Sequence, residues 1–209
     1  MQIPSENEII AAYEVSNTTA RKALQEIEIS GWGTRIKGKG TFVRQKNVVR
    51  SVNRILSFTR NMTEAGYTPH TRVLYQGVVN ENYSATINGR RYTIKGPLYK
   101  IHRLRFADET PMLLEVRYIS LSHCPGIVEQ NLEGSLYDAY DACGLHLSEI
   151  RQTLSTIMLD SGIKEFFNLD TPIPGLLVEG ATFIAKEVIL EMEHSIYRGD
   201  KYKFAIRAT

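Results

Sequence analysis

Ser5 and Ser16 are both helix-start residues, and the short interval between them leaves room for two or three turns of helix before a second helix begins. Ser5 with Glu8 makes a capping box, in which the hydroxyl accepts from the residue-8 N–H and the carboxylate reaches back to the residue-5 N–H. Ile9, Ile10, Ala12 and Tyr13 follow as an apolar stripe at helical spacing. Ser16 opens a second helix that can run to Gly31, with Ala20, Ala23, Leu24 and Ile27 facing inward. Its opposite face collects Asn17, Thr18, Arg21, Lys22 and Gln25, all hydrogen-bonding side chains with no acid among them. Two helices joined by a tight turn, the second offering such a face, suit entry into a DNA major groove.

Residues 32–43 read as strand, turn, strand. Gly38-Lys39-Gly40 supplies the turn, and Ile36, Phe42 and Val43 anchor its arms. Lys37 and Lys39 at such a tip sit well against phosphates, although an ordinary surface hairpin has the same sequence signature. Charge separates this segment from the rest: residues 1–54 carry nine Lys/Arg against five Glu, a net +4, while the remainder is −2. A basic module joined to a mildly acidic one suggests a polyanion binder attached to something else, and a solvated basic surface is the plain alternative.

Three ordered blocks then carry a family resemblance. They are residues 3–8 (Ile-Pro-Ser-Glu-Asn-Glu), 15–24 (Val-Ser-Asn-Thr-Thr-Ala-Arg-Lys-Ala-Leu) and 37–43 (Lys-Gly-Lys-Gly-Thr-Phe-Val). Together they resemble the winged helix-turn-helix of GntR-superfamily bacterial transcription regulators. The resemblance implies DNA contacts from Ser5, Asn7, Ser16, Asn17, Thr18, Arg21 and Lys22, and from the turn residues Gly38, Lys39, Gly40 and Thr41. Positions 7 and 17 are often arginine in the family; asparagine here suits adenine and implies a different base preference. The family motif is normally preceded by a helix of some 30 residues including its lead-in, which has no counterpart here. The expectation is a truncated module in residues 1–44, with less apolar cover for Ile9, Tyr13, Leu24 and Ile27.

Residues 45–52 are polar, basic and weakly periodic, and read as a linker to a second domain over residues 53–209. Residues 53–66 suggest a strand tip leading into a helix that stops at Gly66, with Ser57 and Thr59 near its start, where they either cap the helix or meet an anion. Strands at 98–106 and 112–120 flank a turn at 108–111, and Arg103 and Arg105 share a face because strand side chains alternate. Two such arginines either decorate a wet surface or grip a doubly charged anion by forked hydrogen bonds. A five-residue loop, 107–111, sets Glu115 opposite Arg103; a four-residue loop moves that acid to the other face. A helix is expected over 134–143, and strands over 176–185 and from 188 onward, broken by the turn 198–201. Glu191, Glu193, Ser195 and Tyr197 line one face of the last, which in an ordinary amphipathic strand is the wet side.

These pieces resemble the UTRA effector domain, of chorismate-lyase-like fold, that defines the HutC-type branch of the same regulators. The carrying segments are 55–62, 102–108, 111–115, 134–138 and 191–204, and the match is weakest over 73–95. The implied architecture is α+β: a winged helix-turn-helix followed by an antiparallel sheet with flanking helices. Within the branch, members similar to amino-sugar utilisation repressors bind a sugar phosphate. By that resemblance Ser57, Phe58, Thr59, Arg103, Arg105, Ser135 and Tyr137 form a phosphate site, and Glu115, Glu191 and Tyr197 a sugar site. Two guanidiniums and two hydroxyls satisfy a phosphate, and carboxylates suit hydroxyls or an amine. The expected partners are operator DNA, a small anionic effector and a second copy in a homodimer.

Other classes find little support. No apolar run approaches the roughly 20 residues that span a bilayer, and residues 1–8 lack a secretory pattern, so the expected location is the cytoplasm. Cys124 and Cys143 read as free thiols. The five histidines lack metal-ligand spacing, and neither a Gly-x-Ser-x-Gly elbow nor a Walker loop occurs, so no cofactor, metal or catalytic residue is expected. The rival from another class is a lyase-like or sugar-phosphate enzyme with a basic appendage, which would turn its ligand over instead of returning it unchanged.

Overall fold

The computed structural model describes residues 1–30, 32–43, 48–51, 57–160 and 162–205, with the side chains of 49–51 set aside. Contacts divide the chain into residues 1–46 and 47–209. The expected helix stop at Gly31, the strand tip at 53–56 and half of the 45–52 linker lie outside the described residues; the other half, 48–51, is a strand where an irregular linker was expected.

In the first unit, β1 (Gln2–Ile3) leads into α1 (Glu6–Tyr13), α2 (Asn17–Ile29), β2 (Gly33–Ile36) and β3 (Gly40–Val43). The capping box forms as the sequence predicts: Glu8 N–H donates to Ser5 Oγ at 3.3 Å, and Ser5 N–H donates to a Glu8 carboxylate oxygen at 2.7 Å. Glu14 closes α1 in the left-handed region, φ 53°, and Ser16 caps α2 by accepting from Thr19 N–H at 3.2 Å. Ala20 and Leu24 are the buried positions of α2, with Ile27 half-buried. Ala23, expected on the inner face, is exposed. Tyr13 and Ile29 stand largely exposed. The strands form one sheet in the order β1-β3-β2, and β1 is too short for alternation to reveal it in the sequence.

The second unit is a sheet with two dissimilar covers. Its elements run β4 (Val48–Ser51), α3 (Phe58–Glu64), β5 (Pro69–Val79), β6 (Tyr83–Ile87), β7 (Arg90–Ile94), β8 (Leu98–Ala107), β9 (Thr110–Ser120), α4 (Leu136–Ala142), β10 (Glu149–Leu159), β11 (Ile173–Ala185), β12 (Val188–Arg198) and β13 (Tyr202–Ala205). Six of them form the antiparallel sheet β10-β11-β12-β9-β8-β5. The architecture is α+β. Among the described residues no helix is long and apolar enough to cross a membrane.

One face of the sheet lies under α3 and α4. Phe58 and Met62 pack with Leu113, Val178 and Tyr197, while Leu136, Ala139 and Tyr140 pack with Tyr99, Ile101 and Ile119. The far face is covered at one end by the β6–β7 hairpin, through Ile87, Tyr92 and Ile94 against Ala181, Phe183 and Met192. At its other end the 3-10 turn Lys164–Phe167 seats Phe167 against Leu104, Leu114 and Ile196.

Register in the β8–β9 hairpin decides which face the acid takes. The turn is tighter than either expected loop: Ala107 pairs with Thr110 around Asp108-Glu109, with Asp108 at φ 49°. That turn alone would put Leu114 opposite Arg103. A bulge intervenes, since Phe106 pairs with Pro111 but Arg105 with Leu113, leaving Met112 as the extra residue. Glu115 therefore faces Arg103 after all, for a reason that loop length does not supply.

The end of the chain also departs from expectation. β13 does not extend the large sheet; it pairs in parallel with β4, Tyr202 opposite Val48.

Candidate functional site

Alternation along β8, β9 and β12 places Arg103, Arg105, Glu115, Arg117, Glu191, Glu193 and Ser195 on the face beneath α3 and α4. All are buried, Glu191 completely. The stretch that looked like the wet side of a strand is thus one of the most enclosed surfaces in the unit. Helix cover, which a strand's own sequence does not encode, makes the difference.

Glu115 sits at the centre. One of its oxygens accepts from an Arg103 Nη and, at 3.4 Å, from Arg105 Nη1; the other accepts from Arg117 Nε at 3.0 Å and Nη2 at 2.7 Å. Arg117 continues the chain to Glu191 at 2.9 Å and Glu193 at 3.0 Å. Tyr140 on α4 donates its hydroxyl to Glu191, Thr182 donates to Glu191 at 3.1 Å, and Gln152 and Ser195 donate to Glu193. Gly180 lets this last group lie flat across the sheet, since a Cβ there would meet Glu193 Oε1 at 2.8 Å. Arg103 is fastened further by donating to the carbonyls of Leu132 at 2.9 Å and Gly134 at 3.2 Å. Arg105 donates to Thr59 Oγ1 at 2.8 Å and lies 4.7 Å from the Phe58 ring centre.

Electrostatics follow from this crowding. Burial alone would raise the Glu115 carboxyl, but Arg103, Arg117 and Arg105 outweigh it and hold it well below the usual carboxylate range. Burial, and then Arg103 beside it, lowers Arg105 to about 10, so it stays charged at neutral pH. Burial and then the adjoining Glu191 push the Tyr140 hydroxyl far up, fixing it as a donor. Because the Glu115 pKa is lower in the folded than in the unfolded chain, its contribution to stability is present above about pH 4.3 and is lost as pH falls below that. A urea-unfolding series from pH 7 to pH 3.5 should therefore show a steeper acid loss for the wild type than for Glu115→Gln; parallel slopes would remove Glu115 from this role.

Beside the guanidiniums lies a cavity of about 20 Å³, lined by Ser57, Phe58, Arg103, Arg105, Glu115, Arg117, Leu136, Tyr137 and Tyr197. It has room for about one water molecule. A wider depression of about 320 Å³ shares the Ser57 and Tyr137 walls and opens past Arg60, Asp138 and His146. Thr59 reaches the site through Arg105, and Glu191 through Arg117. Ser135 caps α4 by accepting from Asp138 N–H at 3.3 Å and does not line the cavity. Ser57 likewise caps α3, accepting from Arg60 N–H at 3.2 Å. Sequence reasoning left out Arg117, Leu136 and Tyr140. Arg117 had a signal, standing two residues after Glu115 and hence on its face; Tyr140 had none.

In the first unit Asn17, Thr18, Arg21 and Lys22 are exposed along α2, as are Asn7, Ser5 and Ser16. Arg21 and Arg35 flank Glu6 at 3.6 and 3.3 Å. Gly38 and Gly40 turn the hairpin at φ 77° and 115°, conformations that favour glycine, and Lys39 is exposed at its tip. Thr41 is buried, its methyl against Gly33. Cys124 and Cys143 are free thiols that touch each other, and burial, with Cys143 adding, pushes Cys124 up to about 12.

Comparison with known proteins agrees with this two-part organisation. The family model described as "Bacterial regulatory proteins, gntR family" matches residues 1–43, and the UTRA domain model matches residues 64–203. The HTH-type transcriptional repressor NagR of Bacillus subtilis is 29% identical over 98% of this chain and 84% of its own length. The Escherichia coli mannosyl-D-glycerate transport/metabolism system repressor MngR is 21% identical over 99% of this chain and 86% of its own. Among solved structures, PhnF from Mycobacterium smegmatis superposes with a TM-score of 0.71 at 22% identity, covering 99% of this chain and 91% of that one. These relatives are transcription regulators, not enzymes.

Proposed function

The chain belongs to the GntR family of bacterial regulatory proteins and carries its UTRA domain, and from that premise we propose that it binds operator DNA through residues 1–43 and releases or tightens that grip in response to a sugar phosphate. The observation that carries the effector half is the buried Arg103–Arg105 pair, which lines a cavity and whose two Nε donors have no hydrogen-bond partner among the described residues. Guanidinium forks and the hydroxyls of Ser57, Thr59 and Tyr137 suit phosphate oxygens; the carboxylates of Glu115 and Glu191, with Tyr197, suit hydroxyls or an amine. The name of one relative, the mannosyl-D-glycerate transport/metabolism system repressor MngR, favours a carbohydrate ligand. The proposed setting is a cytoplasmic homodimer on a palindromic site.

Two routes lead from this pocket to β4, the first described strand after the DNA-binding unit. Arg105 holds Thr59 on α3, whose Asn61 accepts from the Tyr202 hydroxyl at 3.1 Å. Tyr197, in the cavity wall, lies 4.7 Å from the Tyr202 ring. Both routes end on Tyr202, which pairs with Val48. A ligand that reorders either wall reaches the DNA-binding unit along the chain itself, and a hundredfold change in operator affinity needs about 2.7 kcal/mol of coupling.

The DNA half is tested by Arg21→Ala on a duplex selected from random sequence. Affinity should fall, and the slope of log K against log salt should drop by about one unit. Unchanged affinity would count against α2 as the reading helix. A base preference for adenine opposite Asn7 and Asn17 is expected in the selected sites. A thermal-shift screen of sugar phosphates, free amino sugars and organic acids tests the ligand half; stabilisation by free sugars alone would contradict a phosphate subsite.

A further inference from the structure

We infer that Glu115 is an internal counter-anion: its carboxylate holds the place between the Arg103 and Arg105 guanidiniums that the anionic end of an effector takes, so the two compete for the same donors. This rests on the effector reading above and goes further by making Glu115 a moving part of the site.

Space gives the first argument. The cavity of about 20 Å³ admits about one water, and a phosphate group is larger, so it enters only when a wall moves. Anchoring gives the second. Arg103 is tied to two backbone carbonyls, and Arg117 to Glu191 and Glu193 as well as to Glu115. Glu115 can turn about its side-chain torsions, release the oxygen that faces Arg103 and Arg105, and keep the oxygen that accepts twice from Arg117. Its anchored half then serves as the pivot.

Donor accounting gives the third. Arg103 Nε and Arg105 Nε are buried without a hydrogen-bond partner among the described residues, although both side chains already bond Glu115 through their Nη atoms. A carboxylate with one oxygen to offer leaves those donors over, whereas the three oxygens of a phosphate can take Nε and Nη together. Charge gives the fourth. Arg103, Arg105 and Arg117 balance Glu115, Glu191 and Glu193 within one buried cluster. A further anion entering a balanced, buried cluster is opposed unless one negative group gives up its partners. An amide at position 115 removes that opposition while keeping the shape.

The test measures inorganic phosphate binding to the full chain by calorimetry, at constant ionic strength, for the wild type and Glu115→Gln. The variant should bind about tenfold or more tightly than the wild type. Equal or weaker binding by the variant, or no binding by either protein, would overturn the inference, because a fixed wall that serves only sugar hydroxyls gives no gain for a ligand without a sugar. Should Glu115→Gln fail to fold in chloride buffer, refolding from urea in phosphate and in chloride replaces the titration: recovery in phosphate alone supports the competition, and equal yields refute it. Tighter phosphate binding by the variant, alongside operator affinity that no ligand alters, would uphold the competition and remove the sensor reading.

Discussion

Arg103→Ala is expected to lower the stability of the effector unit by about 3–5 kcal/mol, because it removes one member of a buried, hydrogen-bonded charge cluster and leaves the others uncompensated. The substitution takes away the Arg103 bond to Glu115 and the donors of the Leu132 and Gly134 carbonyls, and it shifts the balance among buried charges toward negative. For a unit of this size a loss of that order lowers the melting temperature by roughly 6–20 °C. Response to an anionic effector should vanish as well, while DNA binding, measured below the lowered transition, persists. Arg103→Lys should recover only part of either property, since an ammonium cannot serve Glu115 and two carbonyls with the same fixed fork. A melting temperature within 2 °C of the wild type would show that the cluster is not the keystone of this face.

Met62→Ala should cost about 2–5 kcal/mol, the usual range for truncating a fully buried side chain in a packed core. Met62 is wholly buried on α3 among Val48, Phe58, Leu113, Val178, Tyr197 and Tyr202. A helix of seven residues has no independent stability in water, so α3 stays in place through this packing. Loosening it frees the Ser57–Phe58 wall of the cavity and, through Tyr202, the β4–β13 pair. Hydrogen exchange in β4 and β13 should therefore rise before exchange in β9 and β12 does. A loss below 1 kcal/mol, or uniform acceleration across the sheet, would argue that α3 is held by something else.

Much of this organisation was legible in the chain, and the limits of legibility have physical causes. Ser5, Glu8 and Ser16 act locally, each through backbone groups three residues away, so the sequence alone places both helices of the first unit. Arg103 and Glu115 came together as a five-residue loop would have placed them, yet a bulge at Met112 did the work, and bulges carry no reliable residue signature. Asn88-Gly89 is a strong two-residue hairpin signal, with φ values of 51° and 76°, in the stretch where the family resemblance is weakest. The strand β10, Glu149–Leu159, lies outside the strands expected from the sequence. Glu191 and Glu193 illustrate the opposite difficulty: their alternation was plain, but which side of a strand is dry depends on helices far away in sequence. The parallel pairing of β13 with β4 joins residues about 150 positions apart, beyond the reach of any local rule.

The account turns on one linkage, between an anion at Arg103 and Arg105 and the grip of the first unit on DNA. The most direct test is operator affinity, on a duplex selected by the protein itself, titrated against a sugar phosphate that stabilises the chain, for the wild type and Arg105→Met. The account expects a change of about a hundredfold in the wild type and none in the variant. A sugar phosphate that binds the wild type tightly while leaving its operator affinity unmoved would contradict it.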